Sequence, residues 1–139
     1  MDNDERAAIL KAELDAGHPV TGAYDANDFI ATGQCNAVNI VRDRKSMTGR
    51  EVREATNPAE YNVLSADQQS NWIAFTQPTN VLNPKTGGID EAIAIGIFGG
   101  GSATITALAV ARSETVSQME ILGLGTSIKE GSVQNARAL

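Results

Sequence analysis

The 139-residue chain has few of the side chains that usually carry chemistry. Its one cysteine, Cys35, excludes an internal disulfide framework and suits a reducing compartment. Its one histidine, His18, precedes Pro19 in a turn. Any Ser-His-Asp or Cys-His arrangement would have to use that residue, and no G-x-S-x-G elbow accompanies it. His/Cys pairs at metal-ligand spacing are missing too. Aromatics make up 4% of the chain, few for stacking bases or sugars. Eleven basic residues stand against seventeen acidic ones, a net charge of −6. That balance argues against a general nucleic-acid binder, which needs cations to neutralise phosphates. The opening MDNDERAAIL has no basic stretch ahead of an apolar run and does not read as a secretory signal.

What is present is an ordinary globular composition, 42% hydrophobic and 20% charged. The length suits one domain, residues 1–139, around a single core. Its most distinctive stretch is the uncharged run from Ala92 to Ala111. A membrane-spanning helix needs about 20 apolar residues, so the run has the length for one. Gly99, Gly100 and Gly101 interrupt it, however, and each glycine costs a helix interior about 1 kcal/mol relative to alanine. Ser102 then reads as a fresh N-cap. The expectation is two short helices, Ile89–Phe98 and Ser102–Arg112, joined at the glycines. With no polar face, both are expected to be buried on all sides and to form the core. The glycines could suggest a phosphate cradle, but a Walker loop needs a lysine that is absent here.

Helix starts recur along the chain. Asp2/Glu5, Thr48/Glu51, Ser65/Gln68 and Thr115/Gln118 each match a capping box, and Asn57-Pro58 places proline at a first helical position. Gly17-His18-Pro19 ends the first helix. Asp25 reads as the cap of a short helix through Phe29 and Ile30, broken near Gly33. Cys35, Val38 and Val41 extend an apolar stripe at helical spacing, and the basic run beyond reads as a loop. A last helix spans about Glu130 to Ala138. Period-2 alternation is nearly absent. The expected fold is all-α: a compact single-domain bundle of short helices around a central glycine-hinged helical hairpin.

Candidate sites are sparse. Asp25 with Asp28, and Asp90 with Glu91, are local acid pairs, but carboxylates at helix starts are accounted for by the helix dipole. Cys35 on an apolar stripe reads as an inert buried thiol. The helices of Thr115–Leu139 superficially suggest a helix-turn-helix, with only Gln134, Asn135 and Arg137 to offer. The remaining feature is the basic segment holding Arg42, Arg44, Lys45, Arg50 and Arg53. On an acidic chain it reads as a docking surface for an acidic neighbour. No catalytic residue, metal ligand or cofactor is assigned.

The segments NAVNIVRDRKSMTGREVREATNPAEYNVLSADQQSNWIAF and IFGGGSATITALAVARSETVSQMEILGLGTSIKEGSVQNARAL resemble small proteins of long-tailed bacteriophages encoded among the virion structural genes. The likeness runs from about Asn36 to the C-terminus and is clearest at Ser65–Phe75, at the Phe98-Gly-Gly-Gly-Ser-Ala-Thr turn and at Arg112–Gly125. It implies a siphophage head–tail connector, a neck adaptor that docks on the portal as a homo-oligomeric ring. The implied location is the virion, with host cytoplasm during assembly. Neighbours would be the portal and other neck or tail proteins, with no specific nucleic-acid sequence and no membrane. By the same resemblance the C-terminal segment with Val133, Arg137 and Leu139 is a docking candidate, beside the basic segment. The alternatives are a head decoration or tail-associated virion protein, or a small DNA-binding regulator using the C-terminal helix pair.

Overall fold

A computed structural model describes residues 1–139. It contains nine helices and four strands, so the all-α expectation is overturned: the fold is mixed α/β. The strands are β1 (Val38–Asp43), β2 (Met47–Thr48), β3 (Val81–Leu82) and β4 (Ser113–Ser117). They form two two-stranded sheets, β1 with β4 and β2 with β3. In the second, Met47 faces Leu82 and Thr48 faces Val81, antiparallel. The chain divides into two compact units: residues 1–41 with 115–139, and residues 42–114. The second is a contiguous insertion in the first.

The discontinuous unit holds α1 (Asn3–Ala16), α2 (Asp28–Asn36), α8 (Gln118–Ile121) and α9 (Glu130–Arg137). The Asp2/Glu5 box caps α1 as expected, and Gly17 closes it. The cap of α2 is Asn27, whose side chain accepts the Ile30 N–H, and not Asp25. That helix runs through Gly33 and ends at Asn36, since Ala37 turns extended at a ψ of 130°, and the Asn36 side chain reaches Ile128. Its amide donates to the Ile128 carbonyl at 2.9 Å and accepts the Ile128 N–H at 2.8 Å. Val38 and Val41 therefore lie on a strand, where the stripe continuing from Cys35 suggested helix. Likewise Thr115 is extended in β4, and Ser117 caps the four-residue α8. α9 packs on α1 and α2 around a core of Leu10, Ala31, Cys35, Met119, Val133 and Ala136.

The contiguous unit holds α3 (Gly49–Glu54), α4 (Pro58–Asn62), α5 (Ala66–Phe75), α6 (Ile89–Phe98) and α7 (Ala103–Ala111). Both capping boxes expected here are formed, Thr48 with Glu51 and Ser65 with Gln68, and Pro58 opens α4. The glycine hinge also forms as read. Gly99 closes α6 at a φ of 85°, a region in which only glycine is unstrained, and Ser102 accepts the Ile105 N–H to start α7. No helix of the chain is long and apolar enough to cross a membrane. A carboxylate also secures the α7 start: Glu60 accepts the N–H groups of Ala103 at 2.9 Å and Thr104 at 2.7 Å, and the Thr104 hydroxyl at 2.7 Å.

The core of this unit centres on Trp72. Its ring meets Phe98 edge-on at 4.8 Å, and its indole N–H donates to the Thr56 hydroxyl at 2.9 Å. The hairpin contributes Ala94, Ile97, Phe98, Ile105 and Leu108 to that core but is not buried on all sides. Ile89 is 81% exposed and Val110 74%. Each helix turns one stripe inward, and in α6 the opposite stripe, Ile89, Ala92, Ile93 and Gly96, stays open. An apolar sequence all round did not imply a buried one, because the remaining helices cover a single side.

Candidate interaction site

The basic segment is positioned by local chemistry. β1 carries Arg42, whose Nε donates to Glu114 of β4 at 2.8 Å. Two residues on, the Arg44 N–H donates to the Arg112 carbonyl at 2.7 Å, and the Arg44 guanidinium pairs with Glu51 in the first turn of α3. That pairing, aided by the Thr48 N–H, holds the Glu51 carboxyl well below the usual range, at about 2. It raises Arg44 in return. Lys45 and Ser46 are exposed at the turn into β2, and neither makes a hydrogen bond. Arg42, Arg44, Lys45, Ser46 and Glu114 together line an open recess of about 310 Å³. Three cations thus face two carboxylates, Glu114 and Glu51, which leaves the recess with a residual positive charge and the Lys45 ammonium free.

Of the other residues singled out by sequence, Arg53, Arg137 and Val133 play structural parts, and Arg50 and Leu139 lie at the surface. Arg50 pairs with Glu54 one turn on, and both are exposed. Arg53 reaches the C-terminal end of α5, donating to the Ile73 carbonyl at 3.0 Å and the Thr76 hydroxyl at 3.1 Å. There a cation meets the negative end of the helix dipole. In the other unit, Arg137 donates to Asp28 at 2.7 Å and to the Ala26 and Asp25 carbonyls. Val133 lies wholly within the core, whereas Leu139 is 65% exposed. Both acid pairs are engaged: Asp25 accepts the Asn27 N–H, Asp28 binds Arg137, Asp90 accepts the Asn83 N–H and Glu91 pairs with Arg112.

His18 is a turn residue, as its sequence context indicates, but a buried one. Its Nδ1 accepts the N–H groups of Val20 at 3.0 Å and Thr21 at 3.2 Å, so the proton is assigned to Nε2. Cys35 is buried beside Tyr24, whose hydroxyl donates to Glu13 at 2.8 Å. Burial and the Glu13 charge push the thiol up to about 11, so it is inert where it lies.

Sequence reading missed a second concavity, in the contiguous unit. Met47, Phe75, Leu82 and Leu108 line a small apolar cavity of about 50 Å³, with Asp90, Glu91 and Arg112 among its polar lining residues. It draws on residues from Met47 to Arg112, and no local signal joins them. No protein-family model, curated protein or solved structure matches the chain.

Proposed function

We propose that the chain is a non-enzymatic virion protein of a long-tailed phage, a head–tail connector adaptor that docks on the portal in several copies. The resemblance of residues 36–139 supports this reading. The observation that carries it is the recess of Arg42, Arg44, Lys45 and Ser46 on a chain of net charge −6. A cationic concavity on an acidic protein steers an acidic neighbour and fixes its register. In a ring, such a patch meets a different patch on the next subunit. Of the three cations Lys45 is the one free to make a new pair, since Arg42 and Arg44 each hold a carboxylate of the same unit. The DNA-binding alternative draws no support from α9, whose only arginine is bonded to Asp28 and to two carbonyls.

The test is copy number in purified particles of the source phage, by quantitative mass spectrometry against the portal. About a dozen copies supports a closed connector ring. Hundreds would make the chain a decoration or tail protein, and absence would refute a virion role. Lys45→Glu should then reduce assembly of complete particles while leaving the isolated protein folded. Normal assembly of that variant would remove the recess from the interface.

A further inference from the structure

The apolar cavity is a built feature that the adaptor reading leaves unused, and it stands independently of that reading. Its floor comes from β2, α5, β3 and α7 through Met47, Phe75, Leu82 and Leu108, and Ala94 of α6 closes one side. Its volume, about 50 Å³, exceeds the roughly 10–15 Å³ that one water needs. It is far below the roughly 300–1,000 Å³ of a cofactor or drug-sized site. The size therefore restricts the occupant to the tip of one aliphatic group, the dimensions of an anchor side chain.

Charge at the polar side settles what should flank that anchor. Asp90 uses one carboxylate oxygen to accept the Asn83 N–H at 2.7 Å, and its other oxygen has no partner. Glu91 is paired with Arg112, whose guanidinium also lies 3.7 Å from Asp43. Arg112, the one cation of the lining, is thus shared by Glu91 and Asp43 and leaves Asp90 without a cation, so an anionic occupant would be repelled and a cationic one attracted. We infer that the cavity receives a branched aliphatic side chain of a partner protein, of leucine or isoleucine size, carried next to a lysine or arginine that meets Asp90.

The experiment titrates methyl-labelled full-length protein with three capped tripeptides and one amine, followed by carbon–proton correlation spectra. Acetyl-Lys-Leu-Lys-amide should shift the methyl signals of Met47, Leu82 and Leu108 saturably, at millimolar concentration. Acetyl-Glu-Leu-Glu-amide should bind at least about fivefold more weakly, and acetyl-Lys-Ser-Lys-amide should leave those methyls unmoved. Asp90→Asn keeps an acceptor for the Asn83 N–H but removes the charge, so it should abolish the preference between the first two peptides. Ala94→Val should fill the cavity and prevent the shifts. No saturable shift with the leucine peptide, or equal shifts with the serine peptide, would overturn the inference. Tighter binding of free isoamylamine than of the leucine peptide would also overturn it, by making a small amine the occupant.

Discussion

Gly49→Ala should behave opposite to the usual glycine-to-alanine change in a helix. Gly49 is the first residue of α3, fully enclosed, and its N–H donates to the Asn80 carbonyl at 2.9 Å. A Cβ built there would lie 2.0 Å from the Gln77 carbonyl oxygen, 2.7 Å from the Thr76 carbonyl carbon and 2.8 Å from that of Gln77. All three atoms belong to the backbone just beyond α5, so no flexible side chain can swing aside. The usual gain from a stiffer unfolded chain, about 0.4–1 kcal/mol, is therefore overrun by an overpacking cost of about 1–3 kcal/mol or more. A net loss of about 2 kcal/mol would lower the urea midpoint by about 1 M. Trp72 is the only tryptophan and is buried in the same unit, so its fluorescence reports this unfolding directly. Gly96→Ala is the matched control, since Gly96 lies inside α6 with open space where its Cβ would go. It should raise the midpoint by about 0.5–1 kcal/mol equivalent. A Gly49→Ala midpoint equal to or above that of the wild type would refute the close-approach argument.

Other consequences can be checked on the same protein. Glu60 is held below the usual carboxylate range by the Thr104 hydroxyl and N–H and by the Ala103 N–H. Its contribution is present above the unfolded value of about 4.3 and is lost as pH falls through the lower folded value, so Glu60→Gln should flatten stability against pH in that acid limb. Glu51 acts in the same sense over a window from about 4.3 down to about 2, and a Glu51→Gln curve as steep as wild type there would contradict the Arg44 pairing. Trp72→Phe removes the bond to Thr56 and leaves unfilled volume, and should cost about 2–3 kcal/mol by circular dichroism. Cys35 should react with a disulfide reagent at pH 8 only as fast as its unit opens, so a rate matching a free thiol would show that it is not enclosed.

Helix starts were legible in the sequence because they are local. Asp2, Thr48, Ser65 and Ser102 each bond an N–H three residues on, a distance the chain itself sets. The strands were not legible, because what makes them lies far along the chain. β1 is a strand because it pairs with β4, far along the chain, and its burial does not alternate, so no period-2 signal appears. β2 and β3 are two residues each, too short for any pattern. Thr115-Val-Ser-Gln118 has the letters of a capping box, yet Ser117 takes the cap and leaves the β-branched pair before it extended. The basic segment was visible as charge, but not how far that charge is already spent. Arg42 finds its carboxylate 72 positions away, at Glu114. The apolar cavity gave no signal at all, since it is a property of packing between elements.

The insertion of one unit within the other sets an order of birth on the ribosome. Every residue of the contiguous unit has emerged once Glu114 has left the exit tunnel, so the Trp72 core can close while synthesis continues. The other unit has to wait. Its helix α1 is made before the inserted unit, but its partner α9 only after it. Through that interval Leu10, Ala31 and Cys35 lack the cover that Met119, Val133 and Ala136 later supply. A stalled or truncated chain would thus present a finished inserted unit alongside an uncovered half-core, the kind of surface that holding chaperones recognise.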